Sequence, residues 1–99
     1  MVKKIIKWDR IAVHQLDKAI DYIEKNSVKN AGNTLSDILE KINRLPDYPE
    51  MYPPDKYKMA NDDNYRAFEL HHYRISYFVG AIEIRIIRIR HTNRKPVKY

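Results

Sequence analysis

The last third of the chain, residues 65–99, most constrains the fold, because three β-type runs follow one another almost without a gap. The runs are YRAFEL, YRISYFV and IEIRIIRIR, and all are rich in the β-branched and aromatic residues that strands favour. Breaks of about two residues, at His71-His72 and Gly80-Ala81, separate them. Such short connections join neighbouring antiparallel strands. We therefore predict a three-stranded antiparallel sheet in this segment.

The two breaks also predict the register of the sheet. A two-residue turn with Gly80 in its first position predicts three cross-strand pairs: Val79 with Ile82, Tyr77 with Ile84, and Ile75 with Ile86. A second two-residue turn can form at His71-His72, since histidine tolerates left-handed backbone geometry better than most residues. This turn places Glu69 opposite Arg74.

The register divides the side chains between two faces of the sheet. The apolar face, expected to pack on helices, carries Phe68, Leu70, Ile75, Tyr77, Val79, Ile82, Ile84 and Ile86. The other face, expected to be open to water or to a ligand, carries Ala67, Glu69, Arg74, Ser76, Phe78, Glu83 and Arg85. The alternation slips at Ile86-Ile87, which predicts either a β-bulge or a strand end buried on both sides.

The first half of the chain reads as a strand followed by two helices. Lys3 to Trp8 is a short strand, and Asp9 is a candidate N-cap for a helix that runs to about Lys25. Ser27 can cap a second helix, which Pro46 ends. We expect an α+β fold: an N-terminal strand, then an antiparallel helix hairpin packed on one face of a mainly antiparallel four-stranded sheet.

Size and composition exclude several function classes. Ninety-nine residues suit a single domain spanning 1–99. The chain has no cysteine and only two glycines, so we expect neither a cysteine-based metal site nor a glycine-rich phosphate loop. The four histidines have no partners at ligand spacing, and we expect no metal and no cofactor. No apolar run is long enough to span a bilayer, so we expect no membrane association and a cytoplasmic location.

The charge of the chain is concentrated in its last third. Residues 65–99 hold eight basic and two acidic residues, a net charge of +6 that equals the charge of the whole chain. The proline-rich segment 46–64 is acidic and reads as a long loop. Basic residues among aromatic ones in strands suggest a polyanionic partner. The candidate nucleic-acid-binding residues are Arg66, Arg85, Arg88, Arg90, Arg94 and Lys95.

Four residues could carry chemistry. Glu69 and Arg74 form either a surface ion pair or a phosphate clamp with its orienting acid or base. His91 ends the last strand and could transfer protons near neutral pH, or could simply border the core. Tyr99 is either a frayed end or, if the tail folds back, a phenol beside the arginine-rich face.

The order of these motifs resembles the RelE/ParE superfamily of toxins from type II toxin–antitoxin modules, which includes plasmid-stabilising systems. The resemblance rests on the residues of the two helices together with Tyr65-Arg66, Tyr73-Arg74-Ile75, Ile84 to Ile89, and His91…Arg94…Pro96. It covers nearly the whole chain and implies the strand, helix hairpin and three-stranded sheet expected above.

The resemblance implies two different activities. RelE-like members cleave mRNA on the ribosome by 2′-OH attack on the adjacent phosphate, and ParE-like members inhibit DNA gyrase without a catalytic site. The resemblance places Arg74 at a catalytic arginine of the ribonuclease branch and Tyr99 at its C-terminal tyrosine. Arg66 stands where RelE has a lysine, whereas Phe68 stands near a second lysine of RelE, so that Glu69 or His91 would have to act as the base.

Three functions therefore stay open. The first is a metal-independent mRNA endonuclease, in which Arg66 and Arg74 clamp a phosphate and Tyr99 or His91 serves as the acid. The second is a gyrase-binding toxin, and the third is a non-toxic binding domain. The tail with His91, Arg94 and Tyr99 favours the first. The expected partners are a cognate antitoxin and either the ribosome with its mRNA or DNA gyrase, in a homodimer or a complex with the antitoxin.

Overall fold

The computed structural model describes residues 3–99, which form two helices and one sheet. The elements are β1 (Ile5–Trp8), α1 (Arg10–Glu24), α2 (Val28–Arg44), β2 (Tyr65–Leu70), β3 (Tyr73–Val79) and β4 (Glu83–His91). The strand order is β1-β4-β3-β2, with β1 parallel to β4 and the other pairs antiparallel. The predicted α+β architecture is confirmed.

The helix hairpin packs on one side of the sheet, which we call the helix face. Ala12 and Leu16 of α1 and Ile38 of α2 are buried against Ile75 and Ile84 of the sheet. Ser27 caps α2 as expected, because its side chain accepts a hydrogen bond from Asn30 N at 3.0 Å. Burial of this apolar stripe is the main stabilising contribution in a chain without disulfides.

The β2–β3 connection is the two-residue turn that the sequence predicts. His71 and His72 both have positive φ, 53° and 67°, as the turn type that matches the strand twist requires. Glu69 therefore pairs with Arg74 across the strands. The His71 Nε2 atom also lies 2.6 Å from Asp37 Oδ2, which ties the turn to α2.

The predicted register of the β3–β4 pair is wrong by two residues. Val79 pairs with Ile84, and Gly80 N donates to Glu83 O at 2.8 Å, so Ala81-Ile82 forms the turn. Ile82 is consequently 73% exposed instead of facing the core. Gly80 serves packing and not backbone conformation, since its φ is not positive and a Cβ there would approach Phe78 Cε2 to 3.1 Å. A shift of two residues preserves the alternation, so Ile84 and Ile86 still face the helices.

Of the two alternatives predicted at Ile86-Ile87, the structure shows the β-bulge, at Ile87. Tyr77 pairs with Ile86, whereas the preceding Ser76 pairs with Arg88, which leaves Ile87 as the extra residue of β4. After the bulge, Ile89 returns to the core while Arg88 and Arg90 point to the opposite side of the sheet. We call that side the distal face.

The distal face is not open along β2 and β3, contrary to expectation. Residues 53–59 wrap around the edge of β2, where Asp55 N donates to Tyr65 O at 2.8 Å and Pro54 bridges to Arg66. Residues 97–99 pair with this loop through two backbone hydrogen bonds between Tyr99 and residues 57 and 59. Ala67 and Ser76 are buried underneath, with 3% and 1% of their surface exposed. The sequence pattern missed this cover because neither segment has a repeating apolar period.

Candidate functional site

The centre of the distal face is the carboxylate of Asp55, which receives donors from three segments. Arg74 Nη2 of β3 donates to Oδ1 at 2.9 Å, and Tyr57 N of the loop donates to the same oxygen at 3.0 Å. The Tyr99 hydroxyl of the tail donates to Oδ2 at 2.6 Å. No part of the Asp55 side chain is exposed to solvent, so these donors replace its water shell.

The surroundings of Asp55 alter three pKa values. Burial alone would raise the pKa of Asp55, but the hydrogen bonds from Tyr99 and Arg74 outweigh burial and hold it below its ordinary value. Burial, together with the Asp55 bond, raises the pKa of Tyr99 to about 12. Burial works against the charge of Arg74, yet the hydrogen bond to Asp55 keeps its pKa above the ordinary value. Near neutral pH the cluster therefore holds a charged pair and a neutral phenol.

Glu69 contacts the same arginine, as its predicted register requires. Arg74 Nη1 donates to Glu69 Oε2 at 3.0 Å, and the Glu69 side chain is 53% exposed. Arg74 itself is only 17% exposed and stacks at 4.9 Å from the Tyr57 ring. Glu69, Arg74 and Tyr99 are thus brought to one site, with Asp55 as the link between Arg74 and Tyr99.

Arg88 holds the tail in place. Its guanidinium carbon lies 4.0 Å from the centre of the Tyr99 ring, and its Nη2 donates to Val97 O at 2.8 Å. Burial and the nearby charges of Arg90 and Arg74 lower the pKa of Arg88, and Tyr99 and Asp55 only partly offset them. Within residues 3–99, no carboxylate lies at ion-pair distance from Arg88.

Beside this cluster is a small cleft of about 50 Å³. Arg74, Arg88, Arg90 and Arg94 line it, and Glu69 is the acidic residue in its wall. Arg90 and Arg94 also border a larger groove of about 700 Å³ between α1 and the end of β4. Neither of these two arginines has a carboxylate at ion-pair distance within the described part of the chain, so both are available to a partner. Lys95 follows as an exposed residue of the tail.

The remaining candidate cations lie elsewhere. Arg85 pairs with Asp9 at 3.0 Å and with Glu83 at 2.9 Å, so carboxylates of the chain balance its charge. Asp9 occupies the N-cap position of α1, but its side chain bonds Arg85 instead of the helix. Arg66 lies opposite Tyr77 on the helix face and donates to Tyr52 O at 2.7 Å. The structure does not bring Arg66 and Arg74 together, because the two residues project from opposite faces of the sheet.

His91 also projects from the helix face. It pairs with Tyr73, and the two rings meet edge to face with centres 5.0 Å apart. Its Nδ1 accepts a hydrogen bond from Asn93 N at 3.0 Å, which leaves Nε2 as the available ring nitrogen. His91 reaches the rim of the small cleft but lies on the other side of the sheet from the Asp55 cluster.

Two classes of site find no support in the part of the chain that the structure describes. Residues 3–99 contain no group of three or more histidine, cysteine or acidic side chains placed to hold a metal ion. The described helices are too short or too polar to cross a bilayer.

The family described as "ParE toxin of type II toxin-antitoxin system, parDE" matches residues 6–96. The chain belongs to the ParE toxin family. No curated protein shows significant sequence similarity to this toxin.

Solved structures share the fold of this toxin. A chain from the chromosomal ParDE toxin–antitoxin system of P. aeruginosa is 22% identical, with a TM-score of 0.71 over 92% of this chain and 98% of that one. A chain of the YoeB dimer from Staphylococcus aureus is 17% identical, with a TM-score of 0.56 over 91% and 98% of the two chains. These likenesses establish the two helices and the mostly antiparallel sheet with one parallel pair.

Asp55 is the residue of the site that sequence reasoning missed. It lies in a proline-rich loop whose path depends on contacts with β2 and with the tail. One signal was present: Pro53-Pro54 stiffens the chain just before the acid, and Tyr57 follows shortly after. That signal indicates an ordered loop but gives no partner for the carboxylate.

Proposed function

We propose that this toxin disables its target by binding it, and that the target is DNA gyrase. The observation that carries the proposal is the double engagement of Asp55 by Arg74 and Tyr99. In ribonuclease chemistry these two groups would have to hold phosphate and supply a proton. Here the guanidinium is neutralised by carboxylates, and the phenol donates its proton to an internal acceptor. His91, the other candidate for proton transfer, lies on the opposite face. Membership of the ParE family supports the same conclusion.

A second candidate, ribosome-dependent mRNA cleavage, draws on the small cleft. Arg90 and Arg94 lack carboxylate partners within residues 3–99, and the half-exposed Glu69 lies next to Arg74. A cleft with several cations and one carboxylate contains the groups that phosphoryl transfer to a 2′-OH needs. In this function Tyr99 would have to leave Asp55 to act as the acid.

The substitution Tyr99→Phe separates the two functions. It removes the phenol proton but keeps the ring under Arg88. Toxicity on induced expression persists if the toxin binds gyrase, and it falls by on the order of 10²-fold or more if Tyr99 is a general acid. Growth arrest, mRNA integrity in the cell, and supercoiling by purified gyrase are measured in parallel. Intact supercoiling together with cleaved mRNA would exclude the gyrase proposal.

The cognate antitoxin is the second partner that we propose. Arg90 and Arg94, which have no carboxylate partner within residues 3–99, border both the small cleft and the groove beside α1. An acidic segment of an antitoxin complements this surface. The double substitution Arg90→Gln and Arg94→Gln should weaken the complex and reduce its salt dependence. A complex of unchanged affinity would contradict this mode of neutralisation.

A further inference from the structure

Asp55 fills a position that is built to hold an anion. Three donors converge on its carboxylate: a guanidinium, a backbone N–H and a phenol, at 2.6–3.0 Å. Such a convergence of donors is typical of sites that bind a phosphate or a carboxylate. In this toxin the anion is supplied by the chain itself, from a loop outside the sheet.

The cations around Asp55 exceed the acids available to them. Arg74, Arg88 and Arg90 lie close enough for their charges to affect one another, and Asp55 and Glu69 are the carboxylates in contact with them. Arg74 Nε is buried and has no acceptor within residues 3–99. A buried donor without an acceptor is costly, so the site is short of acceptor oxygens. A phosphate offers more oxygens than the Asp55 carboxylate.

The segments that close the site lie outside the regular hydrogen-bonded ladder of the sheet. Residues 53–59 contact the sheet through one bridge, a few backbone hydrogen bonds and the Arg74–Asp55 pair, and residues 97–99 are attached to that loop and to Arg88. Neither segment belongs to the helices or strands. The loop can therefore lift while β3, which carries Arg74, keeps its place.

We propose that Asp55 is an internal stand-in for a phosphate group, and that a phosphate-bearing ligand binds to Arg74 and the neighbouring arginines when the Asp55 loop moves away. The proposal goes beyond the identity of the target. Phosphate held in this way is bound and not cleaved, because Arg74 engages Glu69, the carboxylate beside it, and His91 lies on the other side of the sheet. The phosphate can belong to a free small molecule or to a nucleic-acid backbone. The guanidinium groups would recognise both through the same hydrogen bonds and charge.

The test compares Asp55→Asn with Asp63→Asn by calorimetric titration with inorganic pyrophosphate and with a five-nucleotide single strand. Both substitutions remove one negative charge from the same loop, but Asp63 is exposed and its backbone, at φ 71°, suits asparagine equally well. We expect Asp55→Asn to bind more tightly by on the order of tenfold, and Asp63→Asn to behave like the natural chain. A gain with pyrophosphate alone identifies a small ligand, and a larger gain with the oligonucleotide identifies a nucleic acid.

Adding Arg74→Gln to Asp55→Asn should abolish the gain. Three results would overturn the proposal. The two single variants could bind pyrophosphate with equal affinity, the gain in affinity could survive without Arg74, or an acidic peptide could bind more tightly than phosphate. Limited trypsin digestion of the natural chain is a second test, and it measures exposure of the Asp55 loop without any variant. Pyrophosphate should speed cleavage at Lys56 and Lys58 relative to chloride of equal ionic strength, and unchanged cleavage at saturation would also overturn the proposal.

Discussion

At the scale of single residues, one carboxylate organises the distal face. Asp55 binds Arg74 and Tyr99 and thereby joins a loop, a strand and the tail. A buried ion pair of this kind contributes less than its Coulomb energy suggests, because both charges lose water. Breaking it from one side is nevertheless costly, since Arg74 would keep only the exposed Glu69 as a counter-ion.

The depressed pKa of Asp55 makes this contribution dependent on pH. Because the folded-state pKa lies below the unfolded value of 3.8, the carboxylate stabilises the fold above pH 3.8. The contribution is lost as the pH falls below 3.8 and through the folded pKa. We expect Asp55→Asn to lower the free energy of unfolding by about 3 kcal/mol at pH 7, and the difference from the natural chain to shrink in acid.

Urea denaturation at a series of pH values measures this difference. Asp63→Asn is the matched control and should change the stability by less than about 0.5 kcal/mol throughout. A difference between the natural chain and Asp55→Asn that stays constant from pH 7 to pH 2 would show that the carboxylate charge is not responsible.

At the scale of elements, the two hairpins of the sheet differ in how their turns are specified. The β2–β3 turn depends on backbone conformation, because both of its residues have positive φ. The β3–β4 turn depends on packing, because Gly80 lies against Phe78 and Glu83 without positive φ. The first kind of turn can be recognised from residue preference, whereas the second needs the surrounding side chains.

The substitution His72→Gly tests the first turn. Glycine adopts the φ of 67° without the steric cost that histidine bears, and His71 keeps its contact with Asp37. We expect a gain in unfolding free energy of about 0.5 kcal/mol, since the greater freedom of glycine in the unfolded chain offsets part of the relief.

His14→Gly in the exposed face of α1 is the control for His72→Gly, and it should cost about 1 kcal/mol. Chemical denaturation measures both values. A loss of stability in His72→Gly as large as that in His14→Gly would show that the turn carries no strain.

At the scale of the whole molecule, the sheet unites the two ends of the chain. β4 lies between β3 and β1, so the first strand pairs with the last. Contacts between distant parts of a chain form late, because closing a long loop costs entropy. The β2–β3 hairpin, with its two-residue turn, should therefore form before β1 docks.

Pulsed hydrogen exchange during refolding tests this order. Amides of Tyr73–Val79 should be protected earlier than those of Ile5–Trp8. Simultaneous protection of both strands would indicate a single concerted step and contradict the expected order.

Much of this architecture could be predicted because it depends on local periods. The prediction of the two faces is correct despite a register error of two residues, since side chains along a strand alternate between the faces with a period of two. The bulge at Ile87 was visible as a break in the alternation. The cover of the distal face could not be predicted, because Asp55 and Tyr99 meet through segments without any period. Arg66 and Glu69 lie three residues apart on β2 and therefore on opposite faces, and Arg74 pairs with Glu69. The alternation along β2 thus already separates Arg66 from Arg74, contrary to the prediction of one shared clamp.

The bulge at Ile87 also determines which kinds of mutation β4 can accept. Deleting Ile89 would place an arginine in the core position that Ile89 now fills, whereas deleting Ile87 would remove the bulge and leave Ile89 in the core and Arg88 and Arg90 on the distal face. Substitutions that keep the residue count leave every side chain on its present side. Strand β4 can therefore lose a residue at the bulge and keep both arginines on the distal face, whereas the loss of Ile89 would bury a charge in the core.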